Sequence, residues 1–340
     1  MNKLNGMTKT SFALLGAGSW GTALAVLLAD NGHAVHLWDR NAELLEAMQS
    51  QRENRRYLPG VQLPAGINIS HDPTTALQAA NLPLLVVPSS GFREVLKTHA
   101  DIIRRKGKLV WATKGLEEAT YSLLHVVAQE ILGERMQLAV ISGPNFAVEV
   151  GKRIPTATTI ASNSEAFAAE VAQCLYNDWF RPYTSTDLIG VQLGGALKNV
   201  LAIAYGLADG LGLGANTRAA LLTRGLAEIT RLTVRMGGRL ETLSGLAGVG
   251  DLVLTCTDNK SRNRRLGLIL ATGKSLDTAL AEIGQAVEGV KTASAAHYLA
   301  EKMAVELPII EQVYQVLFKG ITAQQALKAL LARELKTEQG

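Results

Sequence analysis

The stretch SFALLGAGSWGTALAVLLADNG, residues 11–32, reads as an apolar strand, a glycine turn and an apolar helix. Gly16, Gly18 and Gly21 are spaced as G-x-G-x-x-G. In that setting the first glycine makes a tight turn and the second lets backbone approach a pyrophosphate with no Cβ in the way. The third lets the helix pack closely on the strand. The helix start then offers free N–H groups and the positive end of its dipole to phosphates. Three glycines alone also suit an ordinary βα turn. A strand before, a helix after and a second strand ending at Trp38 supply the context of a dinucleotide site, with Ser19 and Trp20 among its contacts. Past that second strand, Asp39 suits a ribose 2′-hydroxyl, which favours NAD, whereas Arg40 suits a 2′-phosphate, which favours NADP. Both cofactors stay open.

Working outward, near-continuous apolar runs at 12–15, 34–38, 83–87, 108–112 and 138–141 have the look of parallel strands covered on both faces. Helical patterns at 20–31, 42–51, 92–105 and 122–131 separate them. Alternation of this kind predicts right-handed crossovers and a doubly wound, Rossmann-like sheet. Two more strands, at 156–161 and 180–184, flank a helical stretch and carry the first domain to residue 188. Beyond it the periodicity is helical: 191–211, 218–236, 240–246, 262–271, 275–283, 291–302, 309–318 and 323–332, several with capping residues at their ends. The expected class is α/β, a dinucleotide-binding domain over 1–188 followed by an all-α substrate and catalytic domain over 189–340. The polar tail from Arg333 is expected to fray.

Composition narrows the function classes. The 340 residues are 47% hydrophobic and 19% charged, enough for two packed cores and unlike a disordered chain. A net charge of +4 over this length does not describe a nucleic-acid binder, which gathers its Lys and Arg on one face. Cys174 and Cys256 stand far apart, outside any disulfide framework or metal spacing, as expected in a reducing cytoplasm. The start lacks the apolar region and cleavage site of a signal peptide. The apolar run 193–215 is interrupted by Lys198, Asp209 and several glycines, so stable membrane insertion is not expected. The six histidines are scattered and support neither a hydrolytic triad nor a metal site.

Three segments carry polar groups that packing does not require. Lys114 follows the strand at 108–112, at the sheet edge where ligands of open α/β sheets bind, although a loop lysine is often simply solvated. Lys198 lies within GGALKNVLA, an apolar helix. A buried ammonium there is costly unless paired, and burial draws a lysine toward the range useful for proton transfer. The alternative is a lysine that snorkels to water. Asp251, after Gly248 and Gly250, is a candidate partner for it. Ser261, Arg262 and Asn263 open a helix suited to an anion, and Arg264 and Arg265 read as an exposed basic turn.

Taken in order, GAGSWGTALA, VWATKGLE, ISGPNFAVEV, GVQLGGALKNVLAIAYG, GVGDLVLTCTDNKSRNRR and GQAVEG resemble the bacterial NAD(P)-dependent glycerol-3-phosphate dehydrogenases across residues 16–289. The resemblance implies reversible reduction of dihydroxyacetone phosphate to sn-glycerol 3-phosphate, feeding phospholipid synthesis, by a cytoplasmic enzyme that tends to form homodimers. It implies Lys198 as catalytic proton donor and acceptor, with Lys114, Gly143, Asn145, Asp251, Ser261, Arg262 and Asn263 around the substrate. Gly16, Gly18, Ser19, Trp20, Gly21, Arg40, Lys114, Ala147, Arg262, Ala286 and Glu288 match cofactor-contacting positions. The chain departs from its relatives at Asn145, where Ser or Thr is usual, at Ala286 for Val, at Val249 for Leu, and at Asp39. Two rivals share part of the pattern: a β-hydroxyacid or ketopantoate-type dehydrogenase, and a module that senses the dinucleotide without turnover. The first gives no particular role to ATKGLE or to the SRNRR helix start, and the second predicts that Lys198 is dispensable.

Overall fold

A computed structural model describes residues 9–334 and 337. It divides into two compact units, 1–192 and 193–340. The expected fraying of the tail falls mainly on residues 335, 336 and 338–340, outside the described set, as do residues 1–8 of the expected leaderless start.

Among the described residues, the first unit contains eight strands: β1 (Ser11–Leu15), β2 (Ala34–Trp38), β3 (Ile67–Ile69), β4 (Leu82–Leu85), β5 (Lys108–Trp111), β6 (Gln137–Ser142), β7 (Thr156–Ser162) and β8 (Phe180–Ser185). They form one sheet in the order β3-β2-β1-β4-β5-β6-β7-β8. Its chain-order helices are α1 (Ser19–Asp30), α2 (Ala42–Gln51), α3 (Pro73–Ala79), α4 (Ser89–Lys106), α5 (Leu124–Leu132), α6 (Ala147–Gly151) and α7 (Glu165–Leu175). The strand order reverses direction between β1 and β4, so the loops after β1, β2, β4 and β5 gather around one crevice at the C-terminal sheet edge. Strand β1 pairs parallel with β2 (Leu15 opposite Trp38) and with β4 (Leu15 opposite Leu85).

The core explains why α1 is apolar on nearly all sides: every residue from Gly21 to Leu28 is buried. Leu24, Leu27 and Leu28 join Leu14, Leu37 and Leu84 in one cluster, each full leucine burial contributing about 1.5–3 kcal/mol.

Two features differ from the expected all-crossover sheet. Strand β7 runs antiparallel to β6, with Ile141 opposite Ile160, because the connection between them is spent on a loop and the five-residue α6. Elements β3 and α3 lie in a stretch where the apolar pattern is short. Helix α3 is set by its start instead: Asp72 accepts from Thr74 and Thr75 N–H groups, with Pro73 at the first turn.

The second unit is helical: α8 (Leu188–Gly210), α9 (Ala215–Arg235), α10 (Leu240–Leu243), α11 (Asp251–Thr257), α12 (Arg262–Ala271), α13 (Leu276–Ile283), α14 (Glu288–Met303), α15 (Pro308–Phe318) and α16 (Ala323–Leu331). A five-residue π turn, Leu246–Gly250, leads into α11. The units part after Gln192. Residues 188–192 at the start of α8 still belong to the first unit: Asp187 accepts from the Gly190 N–H, and the Gln192 amide joins both the backbone N–H and Nδ1 of His125. Helix α8 is long and apolar enough to cross a membrane, but 94% of its most apolar window is buried, which marks a core helix. Its glycines fit a crossing with α12. A Cβ on Gly206 would stand 2.1 Å from the Arg264 carbonyl oxygen, and one on Gly267 2.2 Å from that of Ile203.

Candidate active site

In the first unit the glycine turn has the geometry its spacing predicts. Gly16 has φ +114°, and a Cβ there would meet the Val86 carbonyl oxygen at 2.7 Å. A Cβ on Gly21 would lie 1.9 Å from the Gly16 carbonyl oxygen, so only glycine lets α1 pack this close. Gly18 is the opposite case: nothing stands within 4 Å of where its Cβ would be, leaving room for a ligand against the backbone. Gly18 also caps α1 without a side-chain hydrogen bond, so the first N–H groups of a twelve-residue helix are not capped by a side chain. Ser19 and Trp20 open that helix, and Trp20 packs half-buried on the core. These residues fit a dinucleotide pyrophosphate.

Asp39 is drawn into the turn itself. Its Oδ2 accepts from the Ala17 N–H at 2.8 Å, and its Oδ1 from the Asn41 N–H at 3.0 Å. Arg40, next in the chain, is exposed.

Beyond β5 the loop carrying Lys114 is fastened on both sides. The Thr113 hydroxyl donates to the Val87 carbonyl at 2.7 Å, and buried Glu117 is gripped by Arg93, which also holds Glu130. The Arg93 hydrogen bond keeps the Glu117 carboxyl below the usual carboxylate range. Held there, Lys114 Nζ donates to the Gly143 carbonyl at 3.1 Å, so two residues singled out by the resemblance meet. Asn145 donates through Nδ2 to Thr156 Oγ1 (3.0 Å) and the Ala157 carbonyl (2.9 Å), while its Oδ1 is buried with no protein partner. Ala147 begins α6 just beyond.

In the second unit Lys198 is buried at 6% exposure, and its ammonium hydrogen-bonds the carboxylate of Asp251, 1% exposed. The pairing supplies the counter-charge that a buried ammonium requires. Lys198 Nζ also donates to Thr255 Oγ1 at 2.8 Å, and that hydroxyl donates to the Asp251 carbonyl at 2.6 Å. The π turn delivers Asp251 to the start of α11, one turn ahead of Thr255. Thr255 was not singled out by sequence, because a threonine inside a short helix carries no signal of its own. Burial pushes the neighbouring Cys256 thiol up to about 12, which removes it as a nucleophile.

Ser261 caps α12, its hydroxyl accepting from the Arg264 N–H at 3.2 Å. Asn263 is buried and spends its amide on the protein: Nδ2 donates to Asn199 Oδ1 at 2.9 Å, and Oδ1 accepts from the Gly289 N–H at 3.0 Å. It ties α8, α12 and the start of α14 together. Arg262 Nη1 donates to the Ala286 carbonyl at 2.8 Å, and Glu288 opens α14 nearby. Arg264 corrects the expected basic turn: it is buried and paired with Asp209 and Asn259, because the first turn of α12 directs it toward α8. Arg265 is exposed. Among the described residues no cluster of three or more His, Cys, Asp or Glu is placed to hold a metal ion.

Two family models match this chain, the NAD-dependent glycerol-3-phosphate dehydrogenase N-terminus over residues 11–168 and C-terminus over 187–328. The chain belongs to the NAD-dependent glycerol-3-phosphate dehydrogenase family. It is 52% identical to the glycerol-3-phosphate dehydrogenase [NAD(P)+] of Halorhodospira halophila, over 97% of this chain and 98% of that one. With the corresponding protein of Nitrosococcus oceani it shares 54% identity, over 96% and 94% of the two chains. The crystal structure of glycerol-3-phosphate dehydrogenase from Coxiella burnetii superposes with a TM-score of 0.92 at 46% identity, covering 96% of this chain and 99% of that one. A ketopantoate reductase from Ralstonia eutropha shares the fold alone, with a TM-score of 0.57 at 17% identity.

Proposed function

We propose that this chain is an NAD(P)-dependent glycerol-3-phosphate dehydrogenase that reversibly reduces dihydroxyacetone phosphate to sn-glycerol 3-phosphate, a phospholipid precursor. Residues 1–188 serve as the dinucleotide domain and 189–340 as the substrate and catalytic domain. The buried Lys198 ammonium, held between Asp251 and Thr255, carries the reading. A ketone reduction needs a proton for the developing alkoxide in a water-poor site, and an oriented ammonium provides both charge and proton.

Bound NAD(P)H supplies the hydride for C2 of the ketone. Lys198 stabilises the forming alkoxide and passes a proton from Nζ to its oxygen, becoming a neutral amine; oxidation of the alcohol returns that proton. Asp251 fixes the direction of the ammonium, and Thr255 takes up one of its remaining donors. Lys114, Gly143 and Asn145 are further substrate contacts, and the unpartnered Asn145 Oδ1 suits a hydroxyl donor. Ser261, Arg262 and Asn263 serve the phosphate end, Arg262 by charge and Asn263 chiefly by holding the α12 start in place. Gly16, Gly18, Ser19, Trp20 and Gly21 cradle the pyrophosphate, with Arg40, Lys114, Ala147, Arg262, Ala286 and Glu288 as further cofactor contacts. A cytoplasmic location and a homodimer belong to the same reading, and light scattering of the purified protein tests the latter.

Steady-state oxidation of NADH and NADPH with dihydroxyacetone phosphate decides the matter. Turnover is expected with that ketone. Turnover with a 2-keto acid or ketopantoate, and none with dihydroxyacetone phosphate, overturns the assignment.

A further inference from the structure

Asn54 lies outside the glycine motif, in the loop after α2, yet it is fully buried against the motif's centre. Its Nδ2 donates to the Ala17 carbonyl at 2.8 Å and to Thr22 Oγ1 at 2.8 Å. The Thr22 hydroxyl donates to the same Ala17 carbonyl at 3.3 Å. On the other side of that residue, Asp39 accepts from the Ala17 N–H. The amide of Asn54 is itself fixed, since its Oδ1 accepts from the Tyr57 N–H at 3.1 Å. The loop is locked by the Glu53–Gln62 bridge and by the Leu58 N–H on the Asn54 carbonyl at 2.8 Å.

We propose that Asn54 is a positioning residue for the cofactor: it aims the Gly18 N–H at the pyrophosphate by holding the Ala17 carbonyl inward. The physical link is the peptide unit between Ala17 and Gly18. It is planar and trans, so its C=O and N–H point in opposite directions. With the carbonyl drawn into the protein by two donors, the N–H on the far side is turned outward, at the residue where a Cβ would meet open space. Without Asn54 the Ala17 carbonyl loses its principal donor and the peptide can rotate, which would present a carbonyl oxygen to an anion. Binding energy then goes into reorienting the turn instead of being available at once. The inference rests on the proposal that this turn holds the pyrophosphate.

The test is the dissociation constant of NADH and NADPH, read by energy transfer from protein tryptophan to the nicotinamide, with phosphorus-31 spectra of the bound cofactor. Asn54→Ala is expected to raise Kd about tenfold or more for both cofactors, as loss of a hydrogen bond to a charged group does, and to move the bound pyrophosphate resonances toward their free positions. Thr22→Val keeps the packing and removes one donor to the Ala17 carbonyl; it is expected to raise Kd about threefold. Gly18→Ala adds a methyl that meets only the ligand, and so tests the turn itself. If Gly18→Ala weakens binding while Asn54→Ala and Thr22→Val leave Kd and spectra unchanged, the role of Asn54 is disproved and the turn stands. If Gly18→Ala binds as tightly as the native protein, the turn does not hold the pyrophosphate and both ideas fall. Should Asn54→Ala not fold, Asn54→Ser, which keeps an oxygen for the Tyr57 N–H but is too short to reach the Ala17 carbonyl, takes its place, and an unchanged Kd in that variant overturns the positioning role.

Discussion

Lys198 was visible in the sequence as the one charge inside GGALKNVLA, because burying an ammonium without purpose is expensive. What the sequence could not supply was its environment. The partner Asp251 lies 53 positions away, and Thr255 becomes a ligand of the ammonium only once the π turn and α11 are folded. If Lys198 acts in the transition state, Lys198→Ala should lower kcat about 10³-fold while Kd for NADPH stays within about twofold. Rapid-quench turnover and fluorescence titration check the two halves, and near-native kcat would remove the lysine from its place in the mechanism. Arg40 offers a second residue-level expectation. Because Asp39 is occupied by the backbone of the turn, Arg40 is left as the group available to a 2′-phosphate. Arg40→Ala should raise KM about tenfold for NADPH and leave that for NADH nearly unchanged; equal effects on the two would show that Arg40 does not read the 2′ position.

At the level of elements, long periodic helices and apolar strands were legible, whereas short ones were set by local capping or by neighbours. Strand β3 is three residues long, and α6 only five, too short for any period to register. The reversed direction of β7 is a property of its connection, not of its residues, since Thr156–Ser162 would serve equally as a parallel strand. Gly206 of α8 belongs to a backbone crossing with Gly267 of α12, the helix that begins with Arg262 and Asn263. Gly267→Ala therefore sets two effects against each other. Helix propensity favours alanine by about 1 kcal/mol, but the added methyl would press on the Ile203 carbonyl oxygen at 2.2 Å. Overpacking of this kind costs about 1–3 kcal/mol and more where only backbone can yield. A net loss of about 2 kcal/mol is expected in urea unfolding, and a gain in stability would show that the helices separate without penalty.

For the whole molecule, the change of period near residue 188 was visible in the sequence, and the packing between distant helices was not. Glu228 is an example: in sequence it is an ordinary helix glutamate, yet in the fold it is 2% exposed. Its two oxygens accept from the Ile309 and Ile310 N–H groups, fastening α9 to the start of α15. Burial pushes its carboxyl up to about 7, against the pull of those two N–H groups and of Arg231 and Arg333. The unfolded chain releases this proton near its ordinary value of 4.5, and the folded chain only near 7. Across that interval the folded state binds more protons, so the contribution of Glu228 to stability is present in full below about pH 4.5. It is lost progressively as pH rises to about 7, by roughly 3 kcal/mol at most. Carboxyls held low, such as Glu117 beside Arg93, act in the opposite sense and lose their contribution only as pH falls. Comparison with Glu228→Gln isolates the one site. The variant cannot ionise and replaces one acceptor by an amide, so it should be clearly less stable than the native protein at pH 5. The gap should narrow by about 2 kcal/mol at pH 8. Urea midpoints of the helical transition at the two pH values measure it, and a gap that does not change with pH would mean that Glu228 titrates like an exposed glutamate.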